Sequence, residues 1–225
     1  MEKIFIEARR KFKDNELNLN VLKKIPGKKI SLASTIQYLN LVPKVSSFLK
    51  SIGKEVIIKK GAFYRAQVLG CNSSAFERTA DSLLLLADGK FHAINNALQL
   101  QREMYIFNSY SLEFLSKKDI EKHNKITRAK QARFLSSKKV GIIASTKSGQ
   151  KSKIVEGLKR RVEALGKKAF IFEADKINIT EFENFPQIQI WVNTACYGLA
   201  RDDKRIINFA DLLPLLRPLT SQKQS

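Results

Sequence analysis

The stretch KKVGIIAST, Lys138–Thr146, decides how the chain is read, because GKKISLAST at Gly27–Thr35 has the same make-up. Each runs from a basic lead-in through a short apolar run to Ala-Ser-Thr. Each is followed by a segment with helical character, VPKVSSFLKSIGK after the first and QKSKIVEGLKRRVEALGK after the second. Both helices are expected to stop at a glycine, Gly53 and Gly166, since glycine accepts the left-handed conformation that closes a helix. A further strand follows in each copy, EVIIKKG and KAFIFEA. The first copy then continues through DSLLLLADGK (strand), FHAINNALQLQ (helix) and EMYIFNSY (strand). The second continues through TEFENF (short helix), IQIWVN (strand) and a turn with Cys196, leading to RIINFADLLPLL.

Short continuous apolar runs that alternate with helical segments belong to parallel strands covered on both faces. The expected fold class is therefore α/β: two tandem homologous Rossmann-like three-layer domains with parallel sheets. The expected divisions are an N-terminal segment at 1–26, a first α/β domain at 27–135 that contains Cys71, and a second at 136–225 that contains Cys196. Between the repeats, SKKDIEKHNKITRAKQARFLSS reads as a charged helix with Ile120, Ile126 and Phe134 as its few apolar contacts and His123 in solvent. The leading KIFIEARR reads as a lone strand without a neighbour.

With 225 residues and a hydrophobic fraction of 44%, the chain can build real cores and need not be disordered. It has no apolar run of about 18 residues or more, so no membrane span is expected. Its N-terminus lacks the apolar segment of a secretory signal, so the expected compartment is the cytoplasm. The net charge of +20 favours acidic or polyanionic partners, nucleic acid among them, without identifying one.

In open parallel sheets, ligands collect at the carboxyl ends of the strands. ASTKSGQKS, Ala144–Ser152, follows a strand and opens a helix there, so its backbone N–H groups could hold an anion. It is not a phosphate loop, because Gly149 is followed by Gln150 rather than Lys. Read locally, the plain alternative is an N-cap. His92 in ADGKFHAINNA lies near a helix start and is an acid, base or ligand on one reading, a structural hydrogen bonder on the other. The two cysteines, Cys71 in QVLGCNSS and Cys196 in WVNTACYGL, each end an apolar run beside small polar residues. Their position looks similar in the two halves. They are either small buried hydrophobes or thiolate ligands, and no C-x-x-C pair decides between these.

Taken in order, QVLGCN, DGKFHAINNAL, KKVGIIASTKSGQ and IWVNTACYGLARDD closely resemble the diphthamide synthase family, the 2-(3-amino-3-carboxypropyl)histidine synthases of archaea and eukaryotes. The resemblance covers roughly residues 20–215. It implies a 4Fe-4S cluster held by three cysteines, one from each of three homologous α/β domains. It further implies cleavage of S-adenosylmethionine and transfer of its 3-amino-3-carboxypropyl group to a histidine of translation elongation factor 2. By residue match, Cys71 and Cys196 are the metal ligands of the middle and last domains. Ser145, Thr146, Lys147, Gly149, Gln150 and His92 are the residues expected near the cofactor.

Two departures shape the expectation. The first of the family's three domains and its cysteine have no counterpart here, and residues 1–26 read as the tail of that domain, which predicts a separate N-terminal-domain chain that supplies the third thiolate in a homo- or hetero-oligomer. The alternative is a non-catalytic paralogue acting as an accessory or RNA-binding protein. Locally, Tyr197-Gly198 stands where the family has Pro-Arg, and Ser148 replaces a proline.

Overall fold

The computed structural model describes residues 6–147 and 154–216. It contains two units, Met1–His123 and Asn124–Ser225.

In the first unit β1 (Lys29–Ser34) leads through a 3-10 turn into α1 (Val42–Ser51), then β2 (Glu55–Ile57), β3 (Ser82–Leu86), α2 (Phe91–Leu100), β4 (Met104–Phe107) and β5 (Leu112–Leu115). The strand order is β2-β1-β3-β4-β5. All neighbours are parallel except β4 and β5. Both faces are covered. Ile30, Leu32, Leu84 and Leu86 pack with Val45 and Leu49 of α1. Leu83, Leu85 and Ala33 pack with Ala93 and Ala97 of α2. Central strands buried on both faces read as uninterrupted apolar runs, as SLLLL at β3 does. Leu22 and Ile25 are buried in the α1-side core.

The helix α3 (Lys117–Ser136) spans the division between the units. The second unit continues with β6 (Lys139–Ser145), α4 (Val155–Ala164), β7 (Lys168–Ala174), β8 (Ile190–Asn193), α5 (Leu199–Asp202), β9 (Ile206–Asn208) and α6 (Phe209–Leu216). Its strand order is β7-β6-β8-β9, all parallel. Val140, Ile142 and Val192 pack under Leu158 and Val162 of α4. On the other face Trp191 lies against Phe182 and Phe172, at ring-centroid distances of 4.1 Å and 4.6 Å.

The two halves share more than strand order. After each first helix a lysine folds back onto the segment that precedes the first strand. Lys54 Nζ donates to the carbonyls of Ile25 and Gly27, and Lys167 Nζ to those of Leu135 and Ser137. Before each third strand a side-chain oxygen accepts two consecutive backbone N–H groups of the first. Asp81 Oδ2 takes Lys28 and Lys29 at 2.7 Å and 2.8 Å, and Gln189 Oε1 takes Lys138 and Lys139 at 2.6 Å and 3.0 Å. The glycines that close α1 and α4, Gly53 and Gly166, have φ of +80° and +75°.

Four expectations from sequence are corrected. The described part of KIFIEARR, Ile6–Arg10, forms no strand. Ile6 is 91% exposed, so this polar-rich stretch has no apolar face to pair. Arg9 lies over the Tyr64 ring instead. Ile126 faces solvent, while Ile120 and Phe134 are buried. His123 is half-buried rather than free in solvent. The first sheet is also not wholly parallel: an Asx turn, in which Asn108 Oδ1 accepts the N–H groups of Tyr110 and Ser111, reverses the chain into β5. No helix among the described residues is long and apolar enough to cross a membrane.

Candidate metal centre

Both cysteines are exposed free thiols, each on a turn whose neighbouring carbonyls are held by carboxamides. Cys71 follows a segment that extends beyond β2. Gln67 bridges to Ser34 at the carboxyl end of β1, with Val68 N–H donating to Ser34 at 2.9 Å. Leu69 and Asn72 then exchange backbone hydrogen bonds, which leaves Gly70 and Cys71 at the tip of a tight turn. The helix α2 fixes this tip. Asn96 Nδ2 donates to the carbonyls of Leu69 and His92, and Gln99 Nε2 donates to that of Gly70. A Cβ at Gly70 would stand 3.1 Å from Asn95 Nδ2 and 3.3 Å from the Phe91 ring, so the turn sits close against the helix.

Cys196 follows β8. The order β7-β6-β8 makes the gap between β6 and β8 the point where connections leave in opposite directions, which is where open α/β sheets bind ligands. Thr194 ties the turn to β6, with its N–H and Oγ1 both donating to the Ile143 carbonyl. Asn193 then wraps the turn: its Oδ1 accepts Ala195 N–H at 3.0 Å, and its Nδ2 donates to the Cys196 carbonyl at 2.8 Å. That carbonyl also accepts Leu199 N–H at 3.1 Å. Behind the turn, the Tyr197 hydroxyl donates to Asp211 Oδ1. Burial, then the Asp211 charge, push the Tyr197 pKa up to about 12. Burial also raises the pKa of Asp211, opposed by the Tyr197 hydrogen bond and by Lys130.

Within each unit, those expected residues that are described stand on elements next to the cysteine turn. Ser145–Lys147 leave the carboxyl end of β6 beside the Cys196 turn. Ser145 is buried and its Oγ accepts Lys147 N–H, while Thr146 and Lys147 are exposed. Gly149 and Gln150 lie outside the described residues. His92 occupies the first turn of α2, its ring edge-on to Phe91, with its carbonyl joined through Asn96 to the Cys71 turn. The two cysteines do not hold equivalent places, contrary to the similar context in sequence. Cys71 lies between the second and third strands of its sheet, whereas Cys196 follows the third.

Among the described residues no group of three or more His, Cys, Asp or Glu gathers into a metal site. What each unit offers is one exposed soft sulfur on a turn held by side-chain hydrogen bonds. This fits a thiolate ligand of an iron–sulfur cluster contributed singly. Asn96, Gln99 and Asn193, which hold these turns, escaped the sequence reading because a carboxamide carries no periodic signal.

A family model described as "Putative diphthamide synthesis protein" matches residues 1–218. The 2-(3-amino-3-carboxypropyl)histidine synthase of Pyrococcus horikoshii is 30% identical over 194 residues, covering 83% of this chain and 55% of that protein. Subunit 1 of the human synthase is 27% identical, covering 79% and 41%. The chain thus spans about half the length of these relatives. The crystal structure of Dph2 from Pyrococcus horikoshii superposes with a TM-score of 0.78 at 25% identity, covering 88% of this chain and 60% of that one. The structure of that protein with a 4Fe-4S cluster gives 0.77. With every described residue inside the stretch matched by the family model and its fold shared with Dph2, the chain belongs to the diphthamide synthesis protein family.

Proposed function

We propose that this chain works as a subunit of a 2-(3-amino-3-carboxypropyl)histidine synthase in the cytoplasm. The enzyme transfers the 3-amino-3-carboxypropyl group of S-adenosylmethionine to a histidine of translation elongation factor 2. Cys71 and Cys196 are two ligands of a 4Fe-4S cluster, and a first-domain chain supplies the third. The observation that carries this reading is the pair of exposed thiols on carboxamide-pinned turns, in a chain whose relative was solved with such a cluster.

When bound, the cluster supplies the electron that breaks the Cγ–S bond of S-adenosylmethionine. The chain's own residues hold and orient. The exposed Lys147 ammonium, next to Ser145 and Thr146 at the carboxyl end of β6, offers a cation for the substrate carboxylate. Gly149 and Gln150 complete that loop in sequence. His92 stands on α2, the helix whose Asn96 and Gln99 hold the Cys71 turn.

The test is anaerobic co-expression with a first-domain chain, followed by iron analysis and visible spectroscopy. A brown chromophore lost in Cys71→Ser and in Cys196→Ser is expected. A chromophore indifferent to both substitutions overturns the reading.

A further inference from the structure

The strands β8 and β9 both end in asparagine, and the two are paired in register. Asn193 and Asn208 are 3% and 4% exposed. Two carboxamides at the carboxyl end of a sheet are costly to bury unless they are bonded. Here they are. Asn193 Nδ2 donates to Asn208 Oδ1 at 2.7 Å as well as to the Cys196 carbonyl, and Asn208 Nδ2 donates to the Tyr197 carbonyl at 3.3 Å. With the Ala195 N–H on Asn193 Oδ1, the pair grips three consecutive residues, Ala195 to Tyr197.

The far side of the same turn is held from α3. Lys130 is only 9% exposed, although it stands on a helix whose other lysines face solvent. Its ammonium donates to the Ala200 carbonyl and, at 3.1 Å, to that of Asp203. These carbonyls lie at α5, where the partial negative charge of a helix end favours a cation. Every hydrogen bond named here beyond the Asn–Asn link ends on the main chain between 195 and 203.

We infer that Asn208 and Lys130 are positioning residues for Cys196: acting through Asn193 and α5, they hold the turn so that its sulfur is presented for ligation before any metal arrives. The inference rests on Cys196 being a cluster ligand. Two physical effects follow. A turn already ordered loses little conformational freedom when its thiolate binds. And a Cys196 carbonyl occupied by two donors has its lone pairs drawn away from the sulfur's anionic charge. Groups that hydrogen-bond a metal ligand directly are worth about 10–100-fold in metal affinity, and Asn208 and Lys130 act one link further out, so the lower end of that range is expected here.

The test uses the full chain in two arms. In the metal-free arm, hydrogen exchange is followed across residues 194–203 in Asn208→Ala and Lys130→Met. Each is expected to speed exchange there about tenfold or more while β6 and β8 stay protected. In the second arm, the co-expressed complex is reconstituted with ferrous iron and sulfide. Iron affinity is expected to fall about tenfold, with the electron-paramagnetic signature of the reduced cluster altered.

Loading that depends on Cys196 but stays within about twofold of the parent in both variants overturns this inference alone. So does a loosened turn with loading unchanged, or weakened loading with the turn still protected. If Asn208→Ala does not fold, Lys130→Met decides. A chromophore indifferent to Cys196→Ser removes the ligand reading and this inference with it.

Discussion

Gly141 and Trp191 face each other on neighbouring strands, and a Cβ on Gly141 would stand 2.4 Å from the indole Cε3. The ring has no room to retreat, since Phe182 is stacked on it and Phe172 meets it edge-on. Gly141→Ala therefore overpacks the core that carries β8 into the Cys196 turn. The expected loss is about 1–3 kcal/mol, read from urea denaturation, with the slope unchanged.

Asp81 and Gln189 do the same work with different chemistry, so acid should separate them. The backbone N–H groups of Lys29 and Lys28 on its carboxylate hold Asp81 below the usual aspartate value. A lowered folded-state pKa gives stability that is complete above the unfolded value, about 3.9, and is lost as pH falls through the folded one. Melting curves of Asp81→Ala should show a lower Tm at pH 7 and a shallower loss on acidification than the parent. Gln189→Ala should lower Tm without changing the acid slope.

Asp211 should behave with the opposite sign. Burial raises its pKa, so its contribution is complete below the unfolded value and is lost as pH rises through the folded one. Asp211→Asn keeps an oxygen for the Tyr197 hydroxyl and removes the charge. The expected result is a gain in stability near neutral pH over the parent that vanishes under acid conditions, measured by denaturation across that range.

Both thiols are exposed and neither is in a disulfide, so the metal-free chain should react at two sites with a thiol-specific disulfide reagent without denaturant. Cys71→Ser and Cys196→Ser should each leave one. A thiol that reacts only after unfolding would contradict the turn geometry at that cysteine.

The apolar runs made the layered fold legible. Strands buried on both faces leave a continuous signal, and β1, β3, β6 and β8 stood out for that reason. The strand β5 did not, because a four-residue edge strand with one buried position has no run to read. At the site, the cysteines were found by type and by resemblance. Lys130 was not, since a lysine in KITRAKQARF reads as solvated until tertiary packing covers it. Asn208 was missed for a related reason: its role depends on a neighbour fifteen positions away, joined to it only by the pairing of β8 and β9.

The unequal placement of the two sulfurs bears on ancestry. Matching latches at Lys54 and Lys167, and at Asp81 and Gln189, speak for a duplicated unit. A thiol present before that duplication would have been copied to the same connection in both halves. Cys71 and Cys196 sit on different ones. The repeat of the scaffold therefore does not by itself set where the two thiols stand: each depends on the connection of its own half.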